Sequence, residues 1–113
     1  MAPKRYRVRV TLQASSDLER IVDFITEDNP FVAAEVADRL ERAIEGLGTL
    51  AHRGRHVSEL GNQGSTHREI IVSPWRVIYS VVGERVEVLA VLDSRRALED
   101  LILDRALRAR RRT

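Results

Sequence analysis

Between His67 and Leu92 the sequence runs as three stretches of alternating residues separated by only two residues each, and this constrains the fold more than any other feature. His67 to Val72 is the first stretch. In the second, Trp75, Val77, Tyr79 and Val81 alternate with Arg76, Ile78, Ser80 and Val82. In the third, Val86, Val88, Ala90 and Leu92 alternate with Arg85, Glu87, Leu89 and Val91. Period two sends successive side chains to opposite faces, so each stretch predicts a strand. The connectors Ser73-Pro74 and Gly83-Glu84 leave room only for a reversal, so the strands must pair antiparallel in chain order. Gly83 supplies the positive φ that a two-residue hairpin turn requires. Leu89 to Leu92 is apolar on both faces, which predicts a central or helix-covered strand.

The chain before this meander carries a different period. Tyr6, Val8, Val10 and Leu12 alternate with Arg5, Arg7, Arg9 and Thr11, predicting a strand at about 5–12. Ser16 and Glu19 form an S-x-x-E capping box, and Leu18, Ile21, Val22 and Ile25 then recur at helical spacing, predicting a helix over 16–28. Asn29-Pro30 ends it and opens another, with Asn29 as N-cap and proline in the first turn. Ala33, Val36, Ala37, Leu40, Ala43, Ile44 and Leu47 carry this second helix over about 30–46, with Gly46 and Gly48 at its end. So short a connection implies an antiparallel helical hairpin. Residues 51–66 hold three glycines and no sustained period, and read as a long loop with a short strand around Val57 to Leu60. Asp93-Ser94 can cap a last helix with Leu98, Leu101 and Ile102 on its apolar side, and the basic tail 105–113 is expected to fray. The order β-α-α-β-β-β-α predicts an α+β fold, a helical hairpin packed on a mainly antiparallel sheet, in one domain spanning 1–113.

Charge is segregated along this order. The formal total is +2, but residues 1–10 carry +4, residues 11–51 carry −6, and residues 52–113 carry +4. Eighteen of the nineteen bases are arginine. Two surfaces of opposite sign imply two kinds of partner. The chain has no cysteine, which excludes a thiol nucleophile and any Cys-ligated metal site. Its three histidines lack ligand spacing, so neither metal nor cofactor is expected. No apolar run reaches signal-peptide or membrane-span length, and a cytoplasmic location is expected.

The ordered set of motifs resembles the RelE/ParE superfamily of bacterial toxins, the toxin halves of type II toxin–antitoxin operons. The residues that carry the resemblance are YRVRVT at 6–11, A-x-x-DLERIVDFI at 14–25, the NP followed by an alanine-rich helix, RGRHVSEL at 53–60, REI at 68–70, WRVIY at 75–79 and VLAVLDSRRAL at 88–98. The resemblance implies one of two activities. Proteins of the RelE type are ribosome-dependent mRNA endoribonucleases, and proteins of the ParE type poison DNA gyrase. Both kinds are neutralised by an antitoxin.

A metal-free ribonuclease needs a base for the 2′-hydroxyl, an acid for the leaving oxygen, and cations for the phosphorane. By resemblance, Arg76 occupies the position of a phosphate-stabilising arginine, Arg96 matches a basic position after the last strand, and Arg68 lies near a third. The tyrosine or histidine usual in the ribonuclease branch is missing from Ala97 to Leu103, where Ile102 stands at the expected place. A displaced base would have to be His67, or His52 or His56 from the loop. The RR-x-L-E pattern at 95–99 looks more like the ParE branch, which is therefore favoured.

Other readings of the same residues stay open. Arg68 and Arg76 can be solvent-facing strand residues paired with Glu69, Glu84 or Glu87, contributing little to stability. Trp75 and Tyr79 fit core or rim positions better than base-stacking platforms. The terminal RARRR can be a solvated tail or a salt-sensitive phosphate-contacting arm. A partly disordered antitoxin segment is expected to fold on the toxin, its carboxylates meeting Arg53, Arg55, Arg68, Arg76, Arg95 and Arg96. DNA gyrase is the expected target, with ribosome-bound mRNA as the alternative.

Overall fold

A computed structural model of the chain describes residues 4–57 and 67–93. The described elements are β1 (Arg7–Val10), α1 (Leu12–Asp28), α2 (Pro30–Gly46), β2 (Arg55–His56), β3 (His67–Val72), β4 (Trp75–Val82) and β5 (Arg85–Asp93). The strands form one five-stranded sheet in the order β1-β5-β4-β3-β2. The meander β3-β4-β5 is antiparallel as the alternation requires, and Gly83 takes φ 61° in its second turn. β1 returns to lie parallel to β5 at one edge, and β2 lies antiparallel to β3 at the other. β1 flanks β5 only along residues 85–88, so the doubly apolar second half has β4 on one side and, through Val91, packs under the helices, the helix-covered form of the expectation. Both helices cover one face of the sheet. Ala14 from α1 and Val36, Leu40 and Ile44 from α2 pack with Ile70, Val77, Tyr79, Val86, Val88 and Val91.

The first helix begins earlier than its capping box suggests. Thr11 is the N-cap: its hydroxyl oxygen accepts from the Ala14 N–H (3.2 Å) and its proton goes to the Val88 carbonyl (2.8 Å). The Ser15 N–H already closes onto the Thr11 carbonyl at 2.9 Å, so Ser16 and Glu19 sit inside a helix that needs no second start. The end of β1 thus places the helix, and the local S-x-x-E signal is overridden. Asn29 caps α2 as expected, accepting from the N–H groups of Phe31 (3.0 Å) and Val32 (3.2 Å).

β5 departs from simple alternation. Tyr79 pairs with Val88 and Ile78 with Ala90, so the register skips Leu89 in a β-bulge. Before the bulge Val86 and Val88 face the helices. After it Val91 does, while Ala90 and Leu92 join Ile78 and Val57 in a second buried cluster on the other face. The expectation that residues 86, 88, 90 and 92 share a face therefore fails halfway. Asp17, buried on α1, accepts from the Val91 N–H at 2.9 Å and satisfies the backbone at this irregularity.

The expected strand at Val57 to Leu60 is replaced, within the described residues, by β2 at Arg55–His56. Residues 58–60 of that expectation lie outside the described residues. So do the last helix, the 105–113 tail, Arg95, Arg96 and Ile102.

Candidate functional site

Strand register decides where the candidate arginines go. Arg55 pairs with Glu69, Glu69 with Ile78, and Ile71 with Arg76. Arg55, Glu69 and Arg76 therefore share the face away from the helices. Arg68 pairs with Tyr79 and faces the helical side. Arg68 and Arg76, the two described candidates for holding a phosphate, thus project from opposite faces of the sheet.

Each is also held by protein groups. Arg76 is buried, with its Nε 2.7 Å and a terminal nitrogen 2.5 Å from Glu69 Oε2. The other carboxylate oxygen of Glu69 accepts from Arg55 Nε at 2.6 Å. Glu69 is 2% exposed, and two guanidinium groups meet its buried carboxylate. Of the pairings considered for Arg76 the one with Glu69 forms, but buried rather than at the surface. Arg68 instead donates to two backbone carbonyls, those of Gly54 (2.8 Å) and His52 (3.3 Å).

The segment Arg53-Gly54-Arg55 is fixed from below. Gly54 N–H donates to the Tyr79 hydroxyl at 2.9 Å, and that hydroxyl donates to the Ala51 carbonyl at 2.8 Å. A Cβ at Gly54 would lie 2.5 Å from the Tyr79 oxygen and 2.6 Å from the Glu69 carbonyl, so the close approach requires glycine. Burial pushes the Tyr79 phenol above its ordinary 10.0, against the opposing effects of the Gly54 N–H, Arg68 and Arg53. Arg53 and Arg55 stand exposed on either side of the anchored glycine. Tyr79 is therefore a core residue, and Trp75 is half-buried against the same cluster.

The histidines do not assemble a base beside Arg76. His67 shares its sheet face but lies four strand residues away in register, roughly 13 Å. His52 is exposed, its ring edge-on to Tyr6 with centroids 5.8 Å apart, and His56 is exposed on β2. Among the described residues no group of three His, Asp or Glu side chains could hold a metal ion. Nor is any described helix long and apolar enough to cross a membrane.

Three residues that organise this region were not singled out from the sequence in these roles: Glu69 as the bridging carboxylate, Tyr79 through its hydroxyl, and Asp17 at the bulge. Glu69 carried a signal, an acid in a strand whose antiparallel hairpin partner carries an arginine two residues from it in register. Asp17 carried none, because a charge near the start of an amphipathic helix is ordinary.

This arrangement of two helices on one face of a β1-β5-β4-β3-β2 sheet is shared with a solved chain. A chain of the chromosomal ParDE TA system from P. aeruginosa superposes with a TM-score of 0.66 at 19% identity, over 80% of this chain and 97% of that one. By fold, the molecule is a small α+β protein of the same class as that chain. Sequence narrows the class. The family described as the ParE toxin of type II toxin-antitoxin systems, parDE, matches residues 8–98, and the chain belongs to that family. Toxin ParE3 of Caulobacter vibrioides is 36% identical over 90 residues, 79% of this chain and 87% of the relative. Toxin RelE1 of the same organism is 30% identical over 90 residues, 76% of this chain and 90% of the relative.

Proposed function

We propose that this ParE-family toxin acts by binding, inhibiting DNA gyrase without covalent chemistry of its own, and that a cognate antitoxin neutralises it. The observation that carries the reading is the disposition of the arginines. A ribonuclease site needs several cations converging on one phosphate with a base alongside. Here Arg68 and Arg76 leave opposite faces of the sheet, and each is engaged by the protein itself. Beside them Arg53 and Arg55 stand exposed to solvent, which suits recognition better than turnover. The greater identity to Toxin ParE3 than to Toxin RelE1 points the same way.

The antitoxin follows from the family, and its binding site is proposed at the arginines flanking Gly54. The alternative, a ribosome-dependent mRNA endoribonuclease, draws support from the Toxin RelE1 relation. Two assays on the purified chain separate them. One incubates it with gyrase and supercoiled plasmid and measures trapped cleavage complexes. The other adds it to a translating extract and maps mRNA ends. Trapping without cutting supports the proposal, and codon-dependent cutting without trapping overturns it.

A further inference from the structure

We propose that Glu69 is a positioning residue that aims Arg55 at a carboxylate of an acidic peptide segment. The proposal rests on the antitoxin-binding reading for its class of partner, and it is independent of the gyrase reading. Three charges run outward through one carboxylate. The Arg76 side chain is 9% exposed, that of Glu69 is 2% and that of Arg55 is 71%. Glu69 spends one oxygen on each guanidinium, Oε2 on Arg76 and Oε1 on Arg55. The buried pair is neutral together, so the charge of Arg55 is the surplus of the group and lies on its solvent side.

The contact to Arg55 is made through Nε, so the edge formed by its two terminal nitrogens is not spent on Glu69. That outer edge is the one that takes a carboxylate through two parallel N–H bonds. The backbone beneath is held equally well by the grip of Tyr79 and Arg68 on Gly54. A side chain and a backbone ordered before binding lose less entropy when a partner arrives. Arg53 is the natural contrast. It is equally near Gly54 and exposed, but among the described residues no carboxylate holds it. A single oriented fork suits one carboxylate, whereas a nucleic-acid backbone calls for a row of free cations. Arg9 and Arg85 on the same sheet face are already paired with Glu87, at 3.5 and 3.0 Å.

The test uses the full chain, a labelled polyglutamate peptide and a labelled oligouridylate of equal charge, with binding read by fluorescence anisotropy. Arg55→Lys keeps the charge but cannot present the fork, and is expected to weaken peptide binding at least about tenfold. Arg53→Ala removes a whole charge and is expected to weaken it about twofold or less. Glu69→Gln gives the sharpest sign. It makes the surface more positive, so attraction alone predicts tighter binding, and positioning predicts weaker. Glu69→Gln also removes the carboxylate charge beside the buried Arg76. If circular dichroism shows that variant unfolded, Arg55→Lys, a surface change, decides the matter alone. Peptide binding unaffected by Arg55→Lys, tightened by Glu69→Gln, or undetectable in the parent chain would overturn the proposal, as would Arg55-dependent preference for the oligouridylate. Loss of gyrase trapping with the Arg55 dependence intact would remove the target reading and leave this one standing.

Discussion

Tyr79 joins the core to the candidate interface through one oxygen atom. Its ring is fully buried against the helices while its hydroxyl serves two backbone groups of the segment 51–54. Tyr79→Phe keeps the ring and leaves a buried N–H and a buried carbonyl without partners, an expected loss of about 1–3 kcal/mol in urea denaturation. The same phenol gives a pH signature. Its folded-state pKa lies above the unfolded 10.0, so the folded state holds its proton longer than the unfolded state. That contribution is fully present below pH 10 and is lost as pH rises beyond it. Stability should fall above pH 10 in the parent, and the fall should be shallower in Tyr79→Phe. Gly54→Ala tests the other side of the contact. Its Cβ would overlap the Tyr79 oxygen and the Glu69 carbonyl, so about 1–3 kcal/mol of destabilisation is expected from thermal unfolding.

At the scale of elements the bulge in β5 matters most. It reverses which side chains face the helices, sending Val91 to the helix side and Ala90 and Leu92 to the cluster on the other face. Asp17 ties α1 to the strand just past it. Asp17→Ala should remove about 1–3 kcal/mol, read by denaturation, and Asp17→Asn, which retains an acceptor oxygen, should lose less. Elements were legible from the sequence wherever local signals and tertiary context agreed. The meander, its two turns and the Asn29-Pro30 junction all follow from periodicity and turn chemistry. The bulge was hidden because Leu89 to Leu92 is apolar at every position, so a change of face leaves no trace in the pattern. The start of α1 was misplaced because a good local capping box competes with Thr11, whose advantage is a hydrogen bond to Val88, 77 residues away. The candidate site was legible as a set of arginines and not as an arrangement. Which face each one occupies depends on register, and a bridging role for Glu69 exists only once β2, β3 and β4 are aligned.

At the scale of the whole molecule, the segregated charges acquire a geometry. The strongly acidic stretch 11–51 contains both helices on one side of the sheet, while the exposed Arg55, bonded through Nε to Glu69, stands on the opposite face. An antitoxin and a target can therefore be met by different surfaces, consistent with a toxin that works by binding. The most direct measurement of that claim is the amount of gyrase–DNA cleavage complex formed when the purified chain is added to gyrase, ATP and supercoiled plasmid, compared with ribosome-dependent mRNA cuts made by the same preparation. Cleavage complexes that accumulate with added chain, together with an uncut message, are expected. A message cut at defined codons, with gyrase turnover unaffected, would contradict that claim.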